Sequence, residues 1–233
     1  GPVPVILDAS KIGTDAESDL TRPDEQSYVS AAEQDLQFAA DNLPVKPSEY
    51  GRFNKGLALS VLMRLYLQEK DYSNAEKTGR QIMGMGYALE TNYRDVFRSA
   101  TEINNETIYA ISCDPAADGN PPNGNMNAWT YYCYPTDFPG LTQQGGWASP
   151  NGAFAPTWDF YDSFDDADTR KAMMIPSYTN LYGQTRDRSN LRGPVLMKYP
   201  DEDKTTFAQG NDIPVARYAD VLLMLAEAIN NNN

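Results

Sequence analysis

The stretch that decides the fold is residues 53–86, which read FNKGLALSVLMRLYLQEKDYSNAEKTGRQIMGMG. Its first half carries apolar residues at the spacing of one broad helix face: Leu57, Ala58, Val61, Leu62, Leu65 and Tyr66. A polar turn follows at residues 69–71, where Asp71 can cap a second helix. That helix runs towards Gly84 and Gly86, residues that suit a helix C-terminus. The stretch therefore predicts two antiparallel helices joined by a tight turn, a helical hairpin.

The hairpin resembles a tetratricopeptide repeat. Four residues fall at the spacing of that motif's Leu, first Tyr, second aromatic residue and Ala: Leu62, Tyr66, Tyr72 and Ala75. Met63 replaces the usual small residue and Gly79 replaces the usual large aromatic residue, so the match is partial. A hairpin of this kind leaves an apolar face that a neighbouring repeat must cover.

Other helices and a few short strands are predicted around the hairpin. One helix begins at Pro23-Asp24 and ends at Leu43-Pro44, because a residue before proline disfavours helical geometry. The last helix carries the apolar residues Tyr218, Val221, Leu222, Leu225, Ala226 and Ile229, with no later helix in the sequence to pair with them. Residues 91–97 predict a short helix, and residues 106–112 and 194–199 predict strands. The expected fold is mainly α, with helical hairpins, long irregular loops and a few short strands.

A long loop region, residues 113–156, is dense in Pro, Gly, Asn and aromatic residues and has no clean periodicity. Loops of this length are usually functional or disordered, and the aromatic content argues against disorder. Sugars present a C–H face that flat aromatic rings can cover and hydroxyls that amide groups can bind. We predict that the ligand-binding residues are Trp129, Tyr131, Tyr132, Asn127 and Trp147. The alternative, that the same aromatic residues only anchor the loop, carries equal weight.

Composition excludes several function classes. The net charge of −13 disfavours nucleic acid as a partner, since an acidic surface repels phosphates. The chain has no histidine, so it cannot build a Ser-His-Asp or Cys-His site alone. With 32 acidic residues, some carboxylate pair will always match glycosidase spacing, so acidic pairs carry no signal. We therefore expect no catalytic residues and no cofactor.

Cysteines and aspartates leave two further questions. Cys113 and Cys133 lack metal-site spacing, and the sequence leaves open whether they are free thiols or one disulfide. Four aspartates within residues 162–168 invite a calcium interpretation. We prefer a structural role, in which Asp168 and Arg170 form a local ion pair or cap, and expect no metal.

Several segments together resemble one family. Residues 52–66 followed by 71–75 are similar to a repeat helix pair of the SusD/RagB family. Residues 105–109, NETIY, are similar to its N-E-x-I-F/Y strand, and residues 164–170, FDDADTR, to its F-x-x-x-D-x-R segment. The most specific match is residues 210–228, GNDIPVARYADVLLMLAEA, beside the family's D-x-P-x-x-R-Y-A-D-V-L-L-x-x-A-E-A. Val3-Pro4, near the start of the chain, is also similar to the family's G-x-V-P-L segment.

The resemblance implies a role at the cell surface. SusD/RagB proteins are lipoproteins on the outer face of the Bacteroidota outer membrane, where they pass glycans, or in some members peptides, to a SusC-like TonB-dependent transporter. We expect a single SusD/RagB-like domain over residues 1–233 that is truncated at both ends and lacks the lipid anchor. The expected function is non-catalytic binding of an oligosaccharide or polysaccharide. The alternatives are peptide binding within the same family, or a helical-repeat scaffold for a protein partner.

Overall fold

The computed structural model describes residues 3–4, 6, 8–19, 21–113, 127–140, 154–200 and 209–232. These residues are mainly helical with short strands, which confirms the predicted fold class. The helices are α1 (Glu25–Asn42), α2 (Lys55–Gln68), α3 (Tyr72–Met83), α4 (Trp129–Cys133), α5 (Trp158–Asp162) and α6 (Tyr218–Asn232). The strands are β1 (Thr107–Ile111), β2 (Met174–Ile175), β3 (Tyr178–Thr179), β4 (Thr185–Arg186), β5 (Val195–Leu196) and β6 (Ile213–Arg217).

The chain folds as two compact units. One contains residues 1–85 and 220–233, and the other contains residues 86–219. The first holds α1, α2, α3 and nearly all of α6, and the second holds every strand and the two shortest helices. A single domain over residues 1–233 stays a prediction.

Helix α1 begins where the sequence predicts. The Asp24 carboxylate accepts a hydrogen bond from the Ser27 N–H at 2.9 Å, which satisfies a donor that the helix itself cannot. The helix ends at Leu43, the residue before Pro44. The Tyr66 hydroxyl of α2 donates to Glu33 of α1 at 2.7 Å, and burial is the largest cause that raises the pKa of this tyrosine.

The predicted hairpin is confirmed as α2 and α3. The side chain of Asn54 caps α2 by accepting from the Leu57 N–H at 2.8 Å. Asp71 caps α3 by accepting from the Asn74 N–H at 3.1 Å. After α3, Gly86 has a φ of +89°, a left-handed conformation that glycine adopts without steric cost.

Two departures from the repeat motif compensate each other in volume. Met63 on α2 is fully buried, and Gly79 on α3 faces it. A Cβ added at residue 79 would lie 2.6 Å from Met63 Cε and 3.1 Å from Leu225 Cδ1. The large residue on α2 therefore requires the absence of a side chain on α3, because core packing leaves no spare space.

Helix α6 buries one stripe, and part of it differs from the prediction. Val221 and Leu225 are buried as expected, beside Met224 and Ala228. Ala226 was predicted in the stripe, but it is exposed. Leu225 packs against the earlier helix α3 at Gly79, so this part of the stripe is covered by a helix that precedes α6 in the sequence.

Strand β1 confirms the strand predicted at residues 106–112, and its partner is the distant β6. The two strands are antiparallel, with Thr107 opposite Arg217 and Ile111 opposite Ile213. Glu106, just before β1, binds the Arg217 guanidinium at 2.6 Å and so closes one end of the pair. This ion pair gives Arg217 a structural role.

The strands β2 to β5 are each two residues long. The strand predicted over residues 194–199 is reduced to β5, two residues paired with β2. Strands β3 and β4 form a small antiparallel pair around Gly183, which has a φ of +74°. The short helix predicted at residues 91–97 is a 3-10 helix, Tyr93–Phe97.

Candidate functional site

The described part of the predicted loop region, residues 113, 127–140 and 154–156, contains the short helix α4. This turn places Trp129, Tyr132 and Cys133 on one side, since residues three and four apart share a helix face. All three line a cavity of about 640 Å³ within residues 86–219. A five-residue helix inside an aperiodic stretch has too few residues to show a helical period, so the sequence pattern could not reveal it.

Asn127 fixes the chain just before this turn. Its backbone N–H donates to the Gln209 carbonyl at 3.0 Å, and the Gln209 N–H donates back at 2.9 Å. Its side-chain amide donates to the Asn211 carbonyl at 3.1 Å, while its side-chain oxygen accepts from the Trp129 N–H at 2.9 Å. The residue is 2% exposed and borders the cavity, so its side chain holds α4 in place. The prediction that Asn127 binds ligand stays a prediction.

Trp129 forms an inner wall of the cavity and is held on two sides. Its indole N–H donates to the Leu196 carbonyl at 2.9 Å. Its ring meets Tyr199 edge-on, with centroids 5.2 Å apart at 63°. Because the indole N–H is already bonded, this side chain offers a ligand its apolar ring and not a hydrogen bond.

Tyr131 and Tyr132 differ in their relation to the cavity. Tyr132 lines it, whereas Tyr131 is not among the lining residues. The two rings meet edge-on at 5.1 Å and 90°, so Tyr131 supports the Tyr132 ring from the side. Tyr132 is 37% exposed, which leaves part of its ring open to a ligand.

Two phenylalanines complete the cavity, and sequence reasoning missed both. The Phe154 N–H donates to the Tyr132 carbonyl at 3.1 Å, and the two rings lie 5.9 Å apart. Phe160 reaches the cavity from α5, whose first turn is capped by Thr157 accepting the Phe160 N–H at 3.2 Å. Phe154 is 64% exposed and Phe160 is 52% exposed. The available signal was position in the sequence, since Phe154 lies within the aromatic-rich region 113–156 and Phe160 lies four residues after it.

One of the residues predicted to bind ligand, Trp147, lies outside the described residues. Of the remaining predicted residues, Trp129 and Tyr132 come together on the cavity wall, with Asn127 at its border and Tyr131 behind Tyr132.

A cation packs among the rings next to Trp129. Lys198 places its ammonium 4.8 Å from the Phe97 ring centroid, 5.6 Å from that of Tyr199 and 6.0 Å from that of Trp129. Burial, followed by repulsion from Arg217, lowers the pKa of Lys198. Contacts between a cation and aromatic rings stabilise this packing, which helps to hold the Trp129 ring in its orientation.

The aspartates near α5 serve the structure. Asp168 accepts from the Arg170 backbone and side chain, and the Arg170 side chain holds the pKa of this carboxyl near 2. Asp166 binds Lys171 at 2.6 Å, and Asp162 binds Arg188. The preferred structural reading of the Asp168–Arg170 pair is confirmed. In the described ranges, no three His, Cys, Asp or Glu side chains cluster closely enough to hold a metal.

The two cysteines are buried free thiols in the structure. Burial raises the pKa of Cys133 to about 12 and that of Cys113 to about 11. Cys133 therefore contributes a neutral, apolar group to the cavity wall.

In the part of the chain that the structure describes, no helix combines the length and apolar character needed to cross a membrane.

Comparison with known proteins agrees with this fold. The family model described as the SusD family matches residues 173–233. A SusD-like protein from Bacteroides ovatus is 25% identical over an alignment of 261 residues, which covers 100% of this chain and 45% of the relative.

Solved structures give the same result for the fold. A SusD superfamily protein from Parabacteroides distasonis superposes with a TM-score of 0.77 at 22% identity, covering 99% of this chain and 51% of that one. Surface glycan-binding protein A from Bacteroides thetaiotaomicron, in complex with laminarihexaose, superposes with a TM-score of 0.66 at 20% identity, covering 88% and 49%. The chain thus spans about half the length of these proteins. The chain is therefore similar to SusD-family proteins, in fold over nearly its whole length and in family-model sequence over residues 173–233.

Proposed function

We propose that this chain is part of a cell-surface glycan-binding protein without catalytic activity. One observation carries the proposal: four aromatic rings, of Trp129, Tyr132, Phe154 and Phe160, surround a single cavity of about 640 Å³. A glycan-binding neighbour of the same fold, solved with laminarihexaose, is consistent with it.

The ring arrangement suits the apolar face of a sugar. Phe154 and Phe160 expose more than half of their surfaces, so a ligand can cover ring area that water now contacts. The volume falls in the range of small-molecule binding sites, roughly 300–1,000 Å³. Trp129 is a fixed part of the wall because its indole N–H is bonded to Leu196 and its ring contacts Tyr199 and Lys198. A rigid wall reduces the conformational entropy lost on binding.

A non-catalytic role is supported by the chemistry of the lining. Glycoside hydrolysis needs two carboxyl groups that flank the bond to be cleaved. Among the described lining residues, none is an Asp or a Glu, and the thiol of Cys133 stays protonated at neutral pH. Binding and release are the activities that this set of side chains supports.

A second candidate, peptide binding, is favoured by one observation. Apart from Asn127 and the hydroxyl of Tyr132, the described lining residues are apolar. The Asn127 amide is already bonded within the protein, so few polar groups are available for sugar hydroxyls. Apolar side chains of a peptide would fit such a wall without unsatisfied hydroxyls.

The cellular setting rests on the family resemblance alone. We propose that the full-length protein is lipid-anchored on the outer face of the outer membrane and delivers its ligand to a SusC-like TonB-dependent transporter. Co-purification of such a transporter with the full-length protein from native membranes would support the delivery step, and its consistent absence would oppose that step.

The proposed function is tested by a panel of immobilised polysaccharides and peptides offered to the full-length protein, with analysis of released products. Retention on a polysaccharide without cleavage supports glycan binding. Retention on peptides alone supports the second candidate. Release of cleaved glycan contradicts the non-catalytic assignment, and no retention on either class contradicts both binding functions.

A further inference from the structure

A second cavity, of about 400 Å³, lies within residues 86–219, and its described lining residues are all different from those of the ring-lined cavity. Two 3-10 helices, Tyr93–Phe97 and Thr169–Met173, supply most of its walls. Ile175 and Met197 close the remaining side. Leu196 lines the first cavity and the next residue, Met197, lines the second, so one backbone segment separates them.

The walls of this cavity combine apolar surface with one unneutralised cation. Met173, Ile175 and Met197 are apolar and adaptable, and Tyr93 adds an aromatic ring. Arg94 also lines the cavity, and its guanidinium has no hydrogen bond or ion pair to any residue that the structure describes.

The unpaired state of Arg94 differs from that of most arginines in the described chain. Arg64 pairs with Asp220 and Arg217 pairs with Glu106. The acidic residues closest to the cavity in sequence are already paired, since Asp95 binds Arg98 at 3.7 Å and Asp168 binds Arg170 at 2.5 Å.

Two further arginines lie near the same wall. The Arg217 guanidinium stands 5.7 Å from the centroid of the Tyr93 ring, and Arg170 interacts electrostatically with Tyr93. Each is already paired with a carboxylate, Arg217 with Glu106 and Arg170 with Asp168. Among the described lining residues, Arg94 is therefore the cation that remains available to an anionic ligand.

We propose that this cavity is a second ligand site, which binds a small ligand that carries a carboxylate or sulfate group and an apolar face. An acidic sugar residue is the ligand class that fits. The planar fork of the Arg94 guanidinium matches two oxygens of either anion. The C–H face of the sugar rests on Tyr93 and Met197. The site stands independently of the ring-lined cavity, which takes the neutral part of a glycan or another ligand.

The test uses the full-length protein and four monosaccharide probes: D-glucuronate, galactose 6-sulfate, glucose and galactose. Binding is measured by titration at low and high salt. We expect one or both anionic probes to bind, more weakly at high salt, and the neutral sugars not to bind at this site. Stronger binding of glucuronate identifies a carboxylate ligand, and stronger binding of galactose 6-sulfate identifies a sulfate ligand.

Variants locate the binding. Arg94→Gln is expected to weaken the affinity for the anionic probe about tenfold or more, the scale of one charged hydrogen-bond pair. Ala172→Phe fills the cavity without changing the charge and is expected to abolish binding. Arg80→Gln, at an exposed arginine on α3, makes the same change in net charge and is the control. These variants leave the ring-lined cavity intact, so retention on neutral polysaccharides is unaffected.

Two outcomes would overturn the second site. One is that neither anionic probe binds at millimolar concentration, and the other is that Arg94→Gln and Ala172→Phe bind them as the wild type does. Either result leaves the proposal for the ring-lined cavity standing, because that cavity is tested with neutral glycans.

Discussion

Met63 and Gly79 fill complementary volumes in the core. Gly79→Ala should therefore lower stability in the wild type and raise it once Met63 is shortened. In the wild type, a Cβ at residue 79 would lie 2.6 Å from Met63 Cε and 3.2 Å from Met63 Sδ, both well inside normal contact distance. Met63 is fully buried, so its flexible end can relieve the overlap only by repacking inside the core. Overpacking of this kind costs about 1–3 kcal/mol, and alanine gains about 1 kcal/mol over glycine in a helix. Gly79→Ala is therefore expected to lower the free energy of unfolding by roughly 1 kcal/mol.

The same change has the opposite effect once Met63 is shortened. Met63→Ala alone should cost about 2–5 kcal/mol, because it leaves a cavity. In that background the new Cβ at residue 79 enters the vacated space, and Leu225, which lies 3.1 Å from it, can also shift there. Gly79→Ala is then expected to raise stability by about 1 kcal/mol, so the coupling between the two sites is roughly 2 kcal/mol.

The assay is urea denaturation of the four proteins of this double-mutant cycle, followed by far-UV circular dichroism. Equal m-values across the set are needed for the free energies to be comparable. A coupling below about 0.5 kcal/mol, with Gly79→Ala equally favourable in both backgrounds, would refute the volume-exchange account of the motif.

Further predictions concern a buried carboxylate, the cavity wall and a buried thiol. Asp137 is 7% exposed, and its carboxylate lies 3.4 Å from the Arg186 guanidinium. Asp137→Ala should therefore lower the free energy of unfolding, measured by denaturant titration, by about 3–5 kcal/mol. A loss below about 1 kcal/mol would contradict a stabilising role for this pair. Trp129→Ala should weaken glycan binding by about 1–2 kcal/mol in a calorimetric titration and also lower stability, because the same indole binds Leu196; unchanged affinity would remove Trp129 from the site. Burial raises the pKa of Cys133 to about 12, above the ordinary value near 8.5, so the unfolded thiol ionises first and stability should fall as pH rises from about 8.5 towards 12. Cys133→Ala should show a smaller fall over that pH range, and identical pH profiles for the two proteins would contradict the shift.

The sequence predicted the elements that depend on local signals. Asp24 and Asp71 mark helix starts because each side chain satisfies backbone donors of its own helix. The turn after α3 could likewise be predicted, since it needs only the glycine conformation at Gly86. Local rules therefore account for α1, α2 and α3.

Features that depend on distant partners could not be predicted in this way. The pairing of β1 with β6 joins residues more than a hundred positions apart, and no local pattern specifies it. The exposure of Ala226 depends on which side of α6 meets α3, where the absence of a side chain at Gly79 admits Leu225. Sequence periodicity predicts an apolar stripe of about the right width on α6. Which residues lie at the centre of that stripe depends on tertiary packing.

The candidate site was predicted in part. Aromatic content led to Trp129 and Tyr132, but it could not separate rings that line the cavity from rings that support it, as Tyr131 does. Phe154 and Phe160 were missed because they are brought to α4 by tertiary contacts and not by sequence spacing.

The central claim, that the ring-lined cavity binds glycans, is tested most directly by one affinity comparison. A polysaccharide fragment retained in the panel is titrated into the full-length wild type, Phe160→Ala and the control Tyr182→Ala. Phe160 is 52% exposed on the cavity wall, whereas Tyr182 is 75% exposed and is not among the described lining residues, so both substitutions should leave the fold intact. The account predicts that Phe160→Ala weakens binding about fivefold to tenfold, the scale of one aromatic contact, and that Tyr182→Ala has no effect. Wild-type affinity in Phe160→Ala, or an equal loss in both variants, would contradict it.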